Sequence, residues 1–122
     1  MIADFKDLDV WKKAMALTIE TYRVTEKLPN AERYGLSDQM RRAAVSIPSN
    51  IAEGHSRNSN REFLRFLSIA QGSKAELETQ VLLTQQLGML SLAQTERLCS
   101  LYQEVGSMLH TIMQMIESGT WK

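Results

Sequence analysis

Apolar residues recur at spacings of three and four in four stretches of this chain, and each stretch is bounded by residues that start or stop helices. In the first, Trp11, Ala14, Thr18, Thr21, Thr25 and Leu28 trace one face, with Leu8, Met15 and Tyr22 on an adjoining stripe. The pattern predicts a helix over about 7–28, with Asp7 and Asp9 at its positive end and Pro29-Asn30 stopping it. A second helix, over about 37–57, follows from Met40, Ala44, Ile47, Ile51 and Gly54. Pro48 falls inside it. Proline has no N–H for the carbonyl of Ala44 and its ring crowds that carbonyl, yet the apolar spacing keeps register on both sides. We therefore expect one continuous helix, kinked at Pro48.

The third helix, over about 60–88, opens with Ser59-Asn60-Arg61-Glu62, a capping-box spacing, and ends at Gly88. Phe63, Phe66 or Leu67, Ala70, Ser73 or Lys74, Leu77, Val81 and Thr84 follow its inward side, and the small residues Ala70, Gly72 and Ser73 predict a close neighbour there. The fourth, over about 92–117, starts from a second Ser-x-x-Gln box at Ser91 and Gln94 and ends before Gly119. Its core row is Leu98, Tyr102, Val105, Leu109, Ile112 and Ile116. Beside it Leu101, Met108 and Met115 form a second row at spacing seven, which widens the apolar face and makes these three the candidate oligomer interface. Leu64, Leu82 and Leu83 also fall partly off the inward face of the third helix.

Four long helices with short connections favour antiparallel neighbours, so the expected fold is all-α, an up-down antiparallel four-helix bundle forming a single domain over 1–122. At 122 residues, 43% hydrophobic and 23% charged, the chain has the composition of one globular domain, neither disordered nor membrane-embedded. No apolar run reaches the ~20 residues that a spanning helix needs. Acids stand near the N-terminus where a signal peptide carries bases, so a cytoplasmic protein is expected. Net charge is zero but uneven: residues 1–74 hold twelve bases and nine acids, residues 75–122 two and five. A neutral total disfavours bulk electrostatic binding of nucleic acid and leaves a local patch as the alternative.

Candidate chemistry is sparse. Neither His55 nor His110 has a glutamate three residues before it, so the Glu-x-x-His pairs of di-iron bundles are missing. The single Cys99 excludes an internal disulfide and a Cys-based zinc site. No phosphate-binding glycine loop is present. No catalytic residue, metal or organic cofactor is expected. The basic set Arg41, Arg42, Arg57, Arg61 and Arg65 is the candidate nucleic-acid-binding surface, because Arg61 and Arg65 are one turn apart and Arg57 lies just before the cap. The bland reading of the same residues is a solvated face paired with Glu53 and Glu62.

The run from Arg42 to Gly54, RAAVSIPSNIAEG, resembles the signature of the 23S rRNA intervening-sequence protein family. Phe5, Leu8, Val10-Trp11 and Ala14 at the start, and Phe63-Leu64, Ala70, Gly72-Ser73 and Glu76-Leu77-Glu78 in the third helix, extend the resemblance over nearly the whole chain. It implies a bacterial cytoplasmic bundle that assembles as a ring, typically a pentamer. It also implies kinship with the accessory variability proteins of diversity-generating retroelements, which bind nucleic acid and a reverse transcriptase through basic surfaces. Within the signature, Ser46 and Ser49 are expected to satisfy groups freed by Pro48, Asn50 to bridge helices, and Gly54 to permit close approach. The expected function is a non-enzymatic oligomeric scaffold or adaptor that associates with RNA or DNA; the alternative is a module that binds proteins only.

Overall fold

A computed structural model describes residues 4–121. Four helices, α1 (Asp9–Thr25), α2 (Leu36–Ser56), α3 (Asn60–Gln86) and α4 (Leu92–Glu117), account for most of them, and no strand occurs among the described residues. The first helix starts later than its pattern suggested. Phe5–Asp7 form a separate 3-10 turn whose cap is Asp4, with Oδ1 accepting from the Lys6 N–H at 2.8 Å, and Leu8 is extended before α1 begins. At the other end α1 stops at Thr25, and Leu28 is still buried through turn bonds back to Thr25.

The remaining ends follow local chemistry. Gly88 and Gly119 both take positive φ, and the amides of Met89 and Thr120 reach back to the carbonyls of Thr84 and Met115, closing α3 and α4 with six-to-one bonds. Ser91 and Gln94 make the full reciprocal box. Ser59 makes half of one: its hydroxyl accepts from the Glu62 N–H at 3.3 Å, while the Glu62 carboxylate takes Arg65 instead.

Each helix packs on the next and α4 closes onto α1, with no close backbone approach between the diagonal pairs. Cross-helix partners run in opposite order, as antiparallel neighbours require. Thr25 meets Arg41 and Thr18 meets Ala44; Gln85 meets Thr95 and Gln71 meets Gly106; Lys13 pairs with Glu104 and Glu20 with Arg97. The core joins Leu17, Met40, Ile47, Ile51, Leu67, Leu77, Leu98 and Leu109 from all four helices, each fully buried.

The second helix runs unbroken through Pro48, as the register predicted. The acceptor that Pro48 leaves without a helical donor, the Ala44 carbonyl, lies 3.0 Å from Thr18 Oγ1 on α1. Ser46 serves a different purpose: its hydroxyl meets Ser73 Oγ on α3 at 2.7 Å and accepts from Asn50 Nδ2 at 2.9 Å. The bridge to α3 is thus made by Ser46, and Asn50 bonds within α2, correcting the expectation for Asn50. Gly54 does permit close approach, because a Cβ there would stand 2.6 Å from Phe66 Cβ. Gly72 does not, since a Cβ there would meet nothing within 4 Å.

Candidate functional site

The five arginines do not form one surface. Arg41 and Arg57 are sixteen residues apart, about 24 Å along α2. Arg41 is tied to α1: its Nε donates to Thr25 Oγ1 at 2.8 Å and its guanidinium lies 4.6 Å from the centre of the Tyr22 ring. Arg42, beside it, pairs with Asp38 at 3.0 Å. Both positions sit near the start of α2, away from the α2–α3 turn.

Arg57, Arg61 and Arg65 do come together around that turn, with Glu62 at their centre. Arg65 donates twice to Glu62, at 3.2 and 3.3 Å, and Arg57 approaches the same carboxylate at 3.6 Å while bonding Glu53 at 2.9 Å. Bonding to Arg65, helped by the charges of Arg57 and Arg61, holds the Glu62 carboxyl below the usual carboxylate range and raises Arg65 in turn. Two of the three guanidiniums also flank the Phe66 ring, Arg57 at 5.1 Å and Arg65 at 4.5 Å from its centre. Arg61 is exposed and its side chain makes no hydrogen bond or ion pair with another described residue. The cluster therefore holds three bases against two acids, with one cation uncommitted. Sequence spacing brought out the arginines; the Phe66 platform was hidden because Phe66 reads as an inward residue, which at 8% exposure it is.

Beside the cluster a broad groove of about 810 Å³ is lined by Arg61, Leu64, Arg65, Ser68, Ile69 and Met113. A smaller cleft, about 370 Å³, lies between the start of α1 and the second half of α4, where Leu8, Val10, Met108, Ile112 and Trp121 line it.

The candidate oligomer row divides. Leu101 is only 4% exposed and packs in the core of the single chain, so it offers no surplus surface. The reason is rotational: α4 turns Leu101 toward α1, into the seam the two helices share. Met108 and Met115 are half-buried, Met108 in the cleft that Trp121 also lines and Met115 on the neighbouring stretch of α4. The larger exposed apolar side chains lie elsewhere, on α1 (Met15, Ile19, Tyr22), at Val45 of α2, on α3 (Ile69, Leu82, Leu83), at Tyr34 and Leu87 in the connections, and at Leu92 where α4 begins. Ile19 carried a signal in its spacing, which places it off the Leu17 and Thr21 face. Among the described residues, no group of three or more His, Cys, Asp or Glu side chains could hold a metal ion, and no helix is long and apolar enough to cross a membrane.

The model of the family described as 23S rRNA-intervening sequence protein matches residues 6–111. The chain belongs to that family. A search of curated proteins found no match to the chain. The matched span takes in α1, α2, α3 and most of α4, so both the Pro48 segment and the arginine cluster lie inside it. The end of α4 and Trp121, which helps to line the smaller cleft, lie outside the matched residues.

Proposed function

We propose that the protein is a non-enzymatic scaffold that works as an assembly of its own copies and presents surfaces to a macromolecular partner. The observation that carries this reading is surplus apolar surface. The core is closed by fully buried side chains from all four helices, yet Ile19, Tyr22, Leu82 and Leu83 remain 57%, 43%, 42% and 44% exposed. Exposed apolar side chains on two separate helices supply material for interaction sites, and a stable interface buries ~800 Å² on each partner. The number of copies favoured is five, which comes from the family resemblance. A cytoplasmic location belongs to the same reading and comes, like the number of copies, from the family resemblance. Light scattering coupled to size exclusion tests it: a mass of several 13.9 kDa chains is expected, and a one-chain mass at high concentration and low salt overturns it.

A second reading, nucleic-acid association at Arg57, Arg61 and Arg65, is supported by their convergence on one turn and by the uncommitted charge of Arg61. Retention on RNA or single-stranded DNA that weakens with salt is its signature, because phosphate contacts release counterions. Reversing Arg61 and Arg65 to glutamate should abolish that retention at unchanged helicity. Glu62→Gln should strengthen it, by freeing Arg65 from its carboxylate. If wild-type protein is never retained, the partner is a protein.

A further inference from the structure

Between α1 and α2, at the end of α2 away from the arginine cluster, lies a hollow of about 200 Å³. Six of the eight residues lining it are polar: Thr25, Glu26, Asn30, Arg33, Ser37 and Arg41. Pockets for drug-sized ligands run to ~300–1,000 Å³ and are mostly apolar, so this one suits something smaller and strongly polar.

Hydrogen-bonding capacity is left over around it. Ser37 is only 7% exposed, yet its hydroxyl makes no hydrogen bond among the described residues. That hydroxyl borders the hollow and is not sealed in the core, since the side-chain oxygens fully enclosed without a partner are those of Gln71 and Gln80. The first turn of α2 adds unmet donors. Its cap, Gly35, brings no side-chain oxygen. The Leu36 N–H meets Glu32 Oε1 at 3.3 Å and the Gln39 N–H closes on the Gly35 carbonyl at 3.1 Å, whereas those of Ser37 and Asp38 meet no acceptor among the described residues. The Asp38 carboxylate, which could serve this helix end, is drawn to Arg42 at 3.0 Å.

Two guanidiniums complete the donor set. Arg33 is exposed, with its guanidinium 5.6 Å from the centre of the Tyr34 ring and no side-chain hydrogen bond or ion pair among the described residues. Arg41 pairs with no carboxylate either. Its Nε donates to Thr25 Oγ1 and its Nη2 lies 3.4 Å from the Tyr22 carbonyl, which leaves Nη1 without an acceptor. Glu26, exposed and without an ion pair among the described residues, is the one acid in the lining. Two cations, a buried hydroxyl and two amides at a helix N-terminus outweigh that single carboxylate, and such a set recognises an oxyanion.

We propose that this hollow binds a phosphate monoester, with the phosphate held by Arg33, Arg41 Nη1, the Ser37 hydroxyl and the first turn of α2. Glu26 and Asn30 take hydroxyl groups of the moiety that carries the phosphate. The site lies within one chain and stands whether or not copies assemble.

Calorimetric titration at low salt, in phosphate-free buffer, tests it with inorganic phosphate and ribose 5-phosphate. Saturable binding at one site per chain is expected, tighter for ribose 5-phosphate. Arg33→Ala and Ser37→Ala should each weaken it about tenfold at unchanged helicity, as loss of a hydrogen bond to a charged group does. Glu26→Gln should tighten binding of inorganic phosphate, and Arg61→Ala, at the other end of α2, should leave it unchanged. A wild-type protein without saturable binding overturns the proposal. So does binding that Arg33→Ala and Ser37→Ala leave intact, or that Arg61→Ala weakens as much. A 5′-phosphorylated oligonucleotide that binds more tightly than both ribose 5-phosphate and its own 5′-hydroxyl form supports the site with a nucleic-acid end as the source; otherwise ribose 5-phosphate binding supports it with a small phosphorylated compound as the source.

Discussion

Thr18 Oγ1 stands 2.9 Å from the Ala14 carbonyl of its own helix and 3.0 Å from the Ala44 carbonyl of α2, the one whose helical donor Pro48 removed. A hydroxyl has one proton, so Thr18 shares it between a carbonyl that already has a helical donor and one that does not. Replacing Thr18 by valine keeps the shape and removes that proton. The cost of an unsatisfied buried acceptor is ~1–3 kcal/mol, and denaturant unfolding should show a loss of this size. In a Pro48→Ala background, where the alanine would supply its own N–H to the helix, the same Thr18→Val change should cost less. Equal costs in the two backgrounds would mean that Thr18 is not standing in for the missing donor.

Two glycines on neighbouring helices should respond in opposite directions to alanine. At Gly54 the new Cβ would press on Phe66 Cβ, an atom fixed to its backbone, so α2 and α3 must separate. Overpacking of this kind costs ~1–3 kcal/mol. At Gly72 the Cβ meets nothing, and the exchange should stabilise the single chain by ~0.5–1 kcal/mol through helix propensity. Thermal unfolding under conditions that keep the chain monomeric compares the two directly.

Leu101 and Met115 share a heptad row but not a role. Leu101→Ala should destabilise the chain by ~2–5 kcal/mol, because it opens a cavity in the core. Met115→Ala, at a half-buried position near the end of α4, should cost well under half as much. Similar losses would place Met115 in the core as well.

Tyr102 should govern alkaline stability. Its hydroxyl donates to Cys99 Sγ at 3.3 Å, and burial, then the Cys99 contact, raise the phenol above its ordinary value of 10.0. With the folded value raised, the neutral phenol contributes stability that is complete below the unfolded pKa and is lost as pH rises toward the folded one. Wild-type melting temperature should therefore fall more steeply above pH 10 than that of Tyr102→Phe, which has no phenol to ionise. Parallel curves would assign the alkaline loss to other groups.

The four helices, the closing caps of α3 and α4 and the passage of α2 through Pro48 were legible in the sequence because each depends on residues within one or two turns of each other. Ser91 with Gln94, Gly88 after α3, and the unbroken Met40, Ala44, Ile47, Ile51 register are local arrangements that the chain determines for itself. The family was legible too, since the segment from Arg42 to Gly54 is contiguous.

Tertiary structure decided which side chain each of these residues meets. A helix turns about 100° per residue, so a small rotation about its axis separates a core position from a surface one. That rotation is set by packing between helices, which spacing along one helix does not record. It puts Leu101 in the core and Ile19 in solvent, supplies the Ala44 carbonyl with a donor from Thr18 of another helix, and places Glu62 among the arginines while Arg41 is drawn to Tyr22. By itself the sequence established a four-helix bundle of this family, whereas the meeting of its helices decided which residues remain available to a partner.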